Sequence, residues 1–326
     1  MHGRLKVRTT EEQKLLKEKE NQKKLAAYKK GMAFVLATRK KDSFNEEAFS
    51  VSSQILLANS HIYTLWNYRK EVILMEIKRC KEGSNKEIVE FLEKELDFTE
   101  QCILSSPKCY SSWHHRYWVL ENHPEPNWEK EFQLCSKYLI VDDRNFHCWD
   151  YRRLILNKTG LNLEKELEFS TERLNANFSN YSSWHYRSTL RILDVNSLDE
   201  ELNLVQNAVF TDPYDSSAWF YFRWILNHRE ILKEKREQVL RSLKELEELE
   251  PGCKWVLMAK FWVNETLSGM KKEKRDDPEC MIHKLIELDP LRKKRYFDSL
   301  GQIDKLHAMA LESTLISISY LFLPYG

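Results

Sequence analysis

Residues able to do chemistry are few in this chain, and their spacing excludes several reactions. Seven cysteines occur, an odd number, and none forms a C-x-x-C pair. That excludes a disulfide framework and the usual structural zinc spacings, so no metal site is expected in this chain. The thiols fit a reducing compartment, and the expected location is cytoplasmic. His114, His115 and His185 stand beside tryptophans that recur at a fixed interval. Imidazoles there are expected to be interface or core polar groups. Lys108 and Arg144 are the cations that hold one register of a recurring turn, five residues before Trp113 and Trp149; the same register elsewhere holds His61, Ser179 and Tyr214. A cation on such a turn is a solvated loop group unless an anion meets it. Where one does, a preorganised positive charge stabilises negative charge that develops in a reaction.

The tryptophans show which elements must position these groups. Trp66, Trp113, Trp149, Trp184 and Trp219 are 47, 36, 35 and 35 residues apart. Seventeen residues before each stands Phe49, Leu96, Phe132, Leu167 or Leu202, and ten before stands Leu56, Ile103, Leu139, Leu174 or Val209. Seven before stands Asn59, Ser106, Asp142, Asn177 or Asp212. Three before is aromatic in Tyr63, Tyr110, Phe146 and Tyr181, with Ser216 the exception. Three after is Arg69, Arg116, Arg152 or Arg187; in the fifth unit the arginine slips one place, to Arg223. Six after is Val72, Val119, Ile155, Leu190 or Ile225.

Apolar residues seven apart share a helix face. Each unit therefore opens with an amphipathic helix, and leading acids such as Glu164, Glu166, Asp199, Glu200 and Glu201 suit the positive end of its dipole. Asn, Asp or Ser seven before the tryptophan is a turn signal. Trp, Arg and the next apolar position then lie along a second helix. One such hairpin cannot cover both apolar faces, whereas stacked hairpins can. The expected fold is all-α: a right-handed superhelix, or α-solenoid crescent, of about seven helical hairpins. Degenerate copies follow, Glu250-Pro251 leading to Trp255 and Asp289-Pro290 leading to Tyr296, with Ser299 in the arginine register. Glu11 to about Thr38 reads as a leading helix capped by Thr10. The long first interval reads as an extended loop over Cys80–Ile88. The repeated Trp is expected to fill the space between layers, and the repeated Arg to bond acids or carbonyls of the neighbouring helix.

Composition agrees with that architecture. Gly and Pro number 8 each, 16 of 326 or about 5%, against an average nearer ~12%. Trp numbers 10 and charged residues make up 31%, as long helices with bulky contacts require. The net charge of +1 argues against a nucleic-acid-binding domain. The basic runs Lys271–Arg275 and Arg292–Arg295 read as solvated helix faces, with a docking patch for an acidic partner as the alternative. No apolar stretch of 18 residues exists to span a membrane. Met1-His2-Gly3-Arg4-Leu5-Lys6-Val7 carries charge where a signal peptide has an apolar run.

The columns resemble the repeats of protein prenyltransferase α subunits: acidic helix, Asn/Asp turn, aromatic, Trp-x-x-Arg, apolar helix. Five consecutive units match across residues 46–230. Asn145-Phe146-His147-Cys148-Trp149-Asp150-Tyr151-Arg152-Arg153 and Asn177–Arg187 make the chain most similar to the Rab-directed, type II geranylgeranyl branch of that family. The chain then divides into residues 1–38, an N-terminal segment and leading helix; 39–230, five repeats; 231–312, a charged linker helix and two degenerate repeats; and 313–326, an apolar tail. It departs from mammalian members in having no immunoglobulin-like insert after Trp224 and no leucine-rich repeats, and so reads as a short form.

The resemblance implies a subunit inactive alone. With a β subunit it would transfer geranylgeranyl from its diphosphate to C-terminal cysteines of Rab GTPases presented by Rab escort protein. Zinc and the prenyl pocket would belong to the β subunit. The family pattern places Lys108 and Tyr110 toward the β subunit's active site, the Lys approaching the diphosphate, and Asn145 and His147 more weakly so. Phe146 stands where the farnesyl-type subunit has Tyr, so a hydroxyl role there is lost. Sequence alone does not choose between Lys108 and Arg144 as the diphosphate contact. An α subunit of a CaaX farnesyl or geranylgeranyl transferase, or a non-enzymatic helical-repeat scaffold, are the alternatives.

Overall fold

The computed structural model describes residues 10–40, 44–80, 85–160, 163–265 and 278–298. The Met1–Val7 stretch, the Lys271–Arg275 run, Ser299 and the 313–326 tail lie outside the described residues. Among those described, every regular element is helical, as the tryptophan period requires. The chain forms two compact units, residues 1–161 and 162–326.

In the first unit, α1 (Glu11–Arg39) packs on α2 (Glu46–Ala58). The hairpins follow: α2 with α3 (Tyr63–Cys80), α4 (Asn85–Ser105) with α5 (Tyr110–Glu121), and α6 (Trp128–Val141) with α7 (Phe146–Thr159). Second helices also pack on each other, α3 on α5 and α5 on α7, while α2 packs on α4. Two layers result. In the second unit, α8 (Leu163–Ala176) pairs with α9 (Tyr181–Leu190), α10 (Val195–Thr211) with α11 (Ser216–Leu226), and α12 (Arg229–Leu249) with α13 (Lys254–Glu265). The layer α9, α11, α13 continues to α14 (Pro278–Leu288), followed by a 3-10 turn at Pro290–Arg292.

Local chemistry sets the boundaries. Thr10 caps α1 through a reciprocal pair with Gln13, satisfying two backbone or side-chain donors at once. Gly160 ends α7 at φ 59°, a left-handed conformation that a Cβ disfavours. Four of the turns between paired helices are built the same way. Asn59, Asp142, Asn177 and Asp212 accept the backbone N–H two residues on, at His61, Arg144, Ser179 and Tyr214. These are Asx turns, in which the side chain mimics a backbone turn.

One expectation is corrected and one is sharpened. The extra residues between Trp66 and Trp113 do not form a long loop: α3 has 18 residues and α4 has 21, leaving only 81–84 between them. Ile88 and Leu92 are buried on α4, so the apolar stripe begins within the stretch expected to be loop. The segment expected to be a charged linker is α12, whose Val239, Leu243 and Leu246 are buried in the core around Trp219. Its charge lies on the opposite face, which makes it the first helix of a sixth hairpin.

Candidate functional site

The turns are held in place from beneath by the tryptophans. Each indole N–H donates to the carbonyl six residues before it: Trp66 to Ser60, Trp113 to Pro107, Trp149 to Asp143, Trp184 to Phe178 and Trp219 to Pro213, at 2.7–2.9 Å. The same carbonyl accepts a second bond from the next unit. Cys109 Sγ donates to Ser60 O at 3.1 Å, Asn145 Nδ2 to Pro107 O at 3.1 Å, and Cys253 Sγ to Pro213 O at 3.1 Å. One carbonyl thus fixes a turn to its own second helix and to its neighbour's.

The arginines work one layer deeper and bond acids and carbonyls of neighbouring helices, as expected, though the column reading did not name the acids. Arg116 donates through Nε and Nη2 to both oxygens of Glu131, at 2.7 and 2.8 Å, and through Nη1 to Leu96 O at 2.7 Å. Tyr151 OH donates to the same Glu131 at 2.6 Å. The pattern recurs: Arg187 with Glu201 and Tyr221, and Arg69 with Glu95 and His115 in the place of Tyr. Each of these three arginines bonds the first helix of its own repeat and the acid of the following repeat. The acids stand 18 residues before their tryptophans, at Glu95, Glu131, Glu166 and Glu201, and the first unit has Ala48 there. A second column two residues after Trp holds Tyr68, His115, Tyr151, Tyr186 and Tyr221. Either column was a signal the sequence carried.

The missing acid leaves a mark. Tyr68 is 2% exposed and its buried hydroxyl has no partner among the described residues. Tyr68→Phe is therefore expected to be neutral or slightly stabilising, whereas Tyr151→Phe should cost about 1.5–3 kcal/mol, the worth of a hydrogen bond to a buried charge. Urea midpoints of the two variants check the contrast; equal losses would deny it.

His115 gives the fold a pH dependence. Burial holds its imidazole below the ordinary histidine value despite the opposing pull of Glu95. Its Nε2 lies 2.7 Å from Glu95 and its Nδ1 is buried without a partner. Burial raises Glu95, but Arg69 and His115 outweigh it and hold the carboxyl at about 2. A histidine depressed in the folded state resists the proton that the unfolded chain accepts below about pH 6.5. Stability is expected to fall as pH drops through that value, and the Glu95 contribution to be lost only as pH falls from about 4.5 toward 2. His115→Tyr, which installs the hydroxyl of the other units, should flatten the loss between pH 7 and 5; an unchanged slope in urea titrations would deny the assignment.

The proposed chemistry-bearing residues gather on the turn face of the first unit. Lys108 projects from the α4–α5 turn, its side chain 72% exposed, with Nζ 3.5 Å from Asp142 on the next turn. Tyr110 opens α5, is 67% exposed, and lies edge-on to His147 at 4.2 Å between ring centroids. Phe146 is 47% exposed and lies 5.9 Å from Tyr110. His147 is buried beneath these rings, and that burial holds its imidazole low, with Lys108 acting in the same direction and Asp150 against it. Asn145 is buried with both ends of its amide engaged: Oδ1 accepts from the N–H of His147 and of Cys148, and Nδ2 reaches Pro107 O. Its position caps α7 and sets the Lys108 turn. Arg144 is exposed beside Asp142, whose other oxygen accepts the Arg144 N–H. His114 and His185 are exposed, unlike His115. Among the described residues, no group of three or more His, Cys, Asp or Glu gathers to hold a metal ion.

The protein prenyltransferase alpha subunit repeat matches the chain at residues 45–76, 92–123, 128–159, 163–191 and 198–229. Geranylgeranyl transferase type-2 subunit alpha of Dictyostelium discoideum is 39% identical over 318 residues, covering 92% of this chain and 99% of that protein. This chain belongs to the geranylgeranyl transferase type-2 alpha subunits. The Schizosaccharomyces pombe member of that alpha-subunit family is 32% identical over 345 residues, covering all of that protein and 94% of this chain. The Homo sapiens member is 45% identical over 241 residues, 69% of this chain, but the chain spans only 42% of its length. A chain in a solved structure of Candida albicans protein geranylgeranyltransferase-I complexed with GGPP shares the fold, with a TM-score of 0.67 at 22% identity over 84% of this chain and 89% of that one. No helix among the described residues is long and apolar enough to cross a membrane.

Proposed function

We propose that this chain is the α subunit of a heterodimeric Rab geranylgeranyltransferase. With its β subunit it transfers geranylgeranyl from geranylgeranyl diphosphate to C-terminal cysteines of Rab GTPases brought by Rab escort protein. The observation that carries the reading is the turn face of the first unit. Tyr63, Tyr110 and Phe146, from three successive hairpins, present rings 69%, 67% and 47% exposed, with Lys108 beside them. A row of exposed rings on a buried ladder is the kind of surface that a partner covers. The full-length likeness to the Dictyostelium discoideum relative supports the choice of reaction.

In this reading the β subunit holds the zinc and the prenyl chain. This chain supplies charge. As the allylic C–O bond breaks, its electron pair goes to the diphosphate, while the cysteine sulfur forms the new S–C bond. The Lys108 ammonium, held on a turn that Asn145 and Trp113 fix, stabilises the charge gained by the leaving group. Tyr110 borders the same space, its ring set by neutral His147.

Co-expression with a β subunit tests the reading. The pair is expected to co-elute on size exclusion and to prenylate Rab with its escort in preference to a CaaX protein. Co-elution failure would leave a scaffold instead. Lys108→Ala is expected to keep the dimer and slow single-turnover transfer by at least tenfold, with Arg144→Ala much less affected. An unchanged rate would remove Lys108 from the mechanism.

A further inference from the structure

Arg223 is the arginine that the repeat does not use. In the four preceding units the arginine three residues after Trp is buried, at 1–3% exposure. In the fifth unit that register holds Phe222, 1% exposed. Aligning Glu250-Pro251 on Asp212-Pro213 puts Val239, 0% exposed, where the preceding unit has Glu201. Both members of the ion pair are apolar at this joint. Arg223 stands one residue further on, about 100° around α11, and half-buried. Its guanidinium lies 5.1 Å from the ring centroid of Trp262, and no carboxylate among the described residues pairs with it.

That rotation aims it into a cavity of about 140 Å³ between α11, α13 and the segment Asp289–Tyr296. The walls are aromatic, with Trp255 and Trp262 among them. Four cations line it, Arg223, Lys254, Arg292 and Arg295, against one acid, Asp289. Asp289 is 6% exposed and its Oδ2 accepts from Lys254 Nζ at 2.7 Å, Arg292 Nη1 at 2.6 Å and Tyr296 OH at 3.3 Å. One buried carboxylate thus holds two cations side by side while cancelling only one charge. Among the described residues, Arg223, Lys254 and Arg292 against Asp289 keep a surplus of two positive charges, 3 − 1, in a partly enclosed space.

We propose that this cavity binds a phosphate or diphosphate group. Guanidinium forks suit phosphate oxygens. A single carboxylate would leave one surplus charge, whereas a doubly charged phosphate group neutralises both. The space is roomy enough for several heavy atoms. The Arg292–Arg295 run, which sequence leaves as solvated surface or docking patch, contributes two of the cations. The source is either free diphosphate or a phosphorylated side chain, and the chemistry at the cavity is the same.

The test is a titration of the full-length chain with sodium diphosphate, sodium phosphate and O-phosphoserine at fixed ionic strength. Binding is read by calorimetry and by the fluorescence of Trp255 and Trp262. Saturable binding is expected, weakened at least tenfold by Arg223→Gln or by Arg295→Gln, with Arg223→Lys losing less than Arg223→Gln. Tightest binding of diphosphate identifies the free anion as the source, and tightest binding of phosphoserine a modified side chain; both support the site. No saturable binding of any of the three, or affinities unchanged in both glutamine variants, overturns it. Arg295 is exposed, so its variant tests the cavity without touching the core.

Discussion

Arg116→Met is expected to destabilise the chain by about 3–5 kcal/mol, because it leaves a carboxylate buried without its cation. Arg116 and Glu131 are each 1% exposed, and the pair is bidentate. Burial works against the guanidinium's charge, yet the net effect of Glu131 is to raise its pKa above the ordinary arginine value. The pair joins two hairpins, since Arg116 lies on α5 and Glu131 on α6. Removing Arg116 also takes a donor from Leu96 O and from Thr99 Oγ1, which it bonds through Nη1. The triple change Arg116→Met, Glu131→Met, Tyr151→Phe removes the charges and the hydroxyl together. It is expected to cost much less than the sum of its parts, since only an unpaired buried charge carries the large penalty. Urea denaturation of the single and triple variants measures both. A single-variant loss under 1 kcal/mol would mean that water reaches Glu131.

The relay accounts for what was legible in the sequence and what was not. Trp and Arg are scarce enough that a column of five and a column of four stand out. Glutamate is common in this chain, so the acid column is hidden among its neighbours. In Glu164-Lys165-Glu166 all acids suit a helix start, and nothing in that run shows that Glu166 is the one buried, at 6% exposure. Glu201 is likewise hidden beside Asp199 and Glu200, though it is fully buried. Periodicity finds the faces of a helix, but which acid turns inward depends on where the preceding arginine ends, and that is a tertiary fact. The first interval failed for a related reason. Gly83, Ser84 and Asn85 read as a break, but buried apolar residues keep α3 helical to Cys80 and α4 helical from Asn85.

The candidate site was legible to a different degree. The sequence places Lys108, Tyr110, Asn145 and His147 on turns, and the structure brings them to one face of the first unit. It also divides them. Lys108 and Tyr110 face outward, while Asn145 and His147 are buried supports, one capping α7 and the other beneath the Tyr110 ring. Asp142 meets both cationic candidates, Lys108 through Oδ2 and the Arg144 backbone through Oδ1. The pair with Lys108 is half-exposed and long, so an arriving anion displaces it at little cost.

The support beneath that face makes the other large prediction. Trp149→Ala is expected to cost about 3–5 kcal/mol, the range for emptying an aromatic core site. Trp149 is 2% exposed and its indole N–H is bonded to Asp143 O at 2.9 Å. Losing the ring opens a cavity between layers and removes the indole's bond to the turn that carries Arg144 and Asn145. The damage should therefore reach past stability. Asn145 holds Pro107 O, next to Lys108, so loosening the α6–α7 turn loosens the Lys108 turn with it. Trp149→Phe separates the two effects, since it keeps most of the apolar volume and removes only the N–H. It is expected to recover most of the stability while leaving the turn bond broken. If transfer by the reconstituted dimer then stays slow while the urea midpoint recovers, the indole N–H positions the turn as well as filling the core. If both recover together, packing alone is its role. A loss under 1 kcal/mol for Trp149→Ala would show that the tryptophan is not core at all.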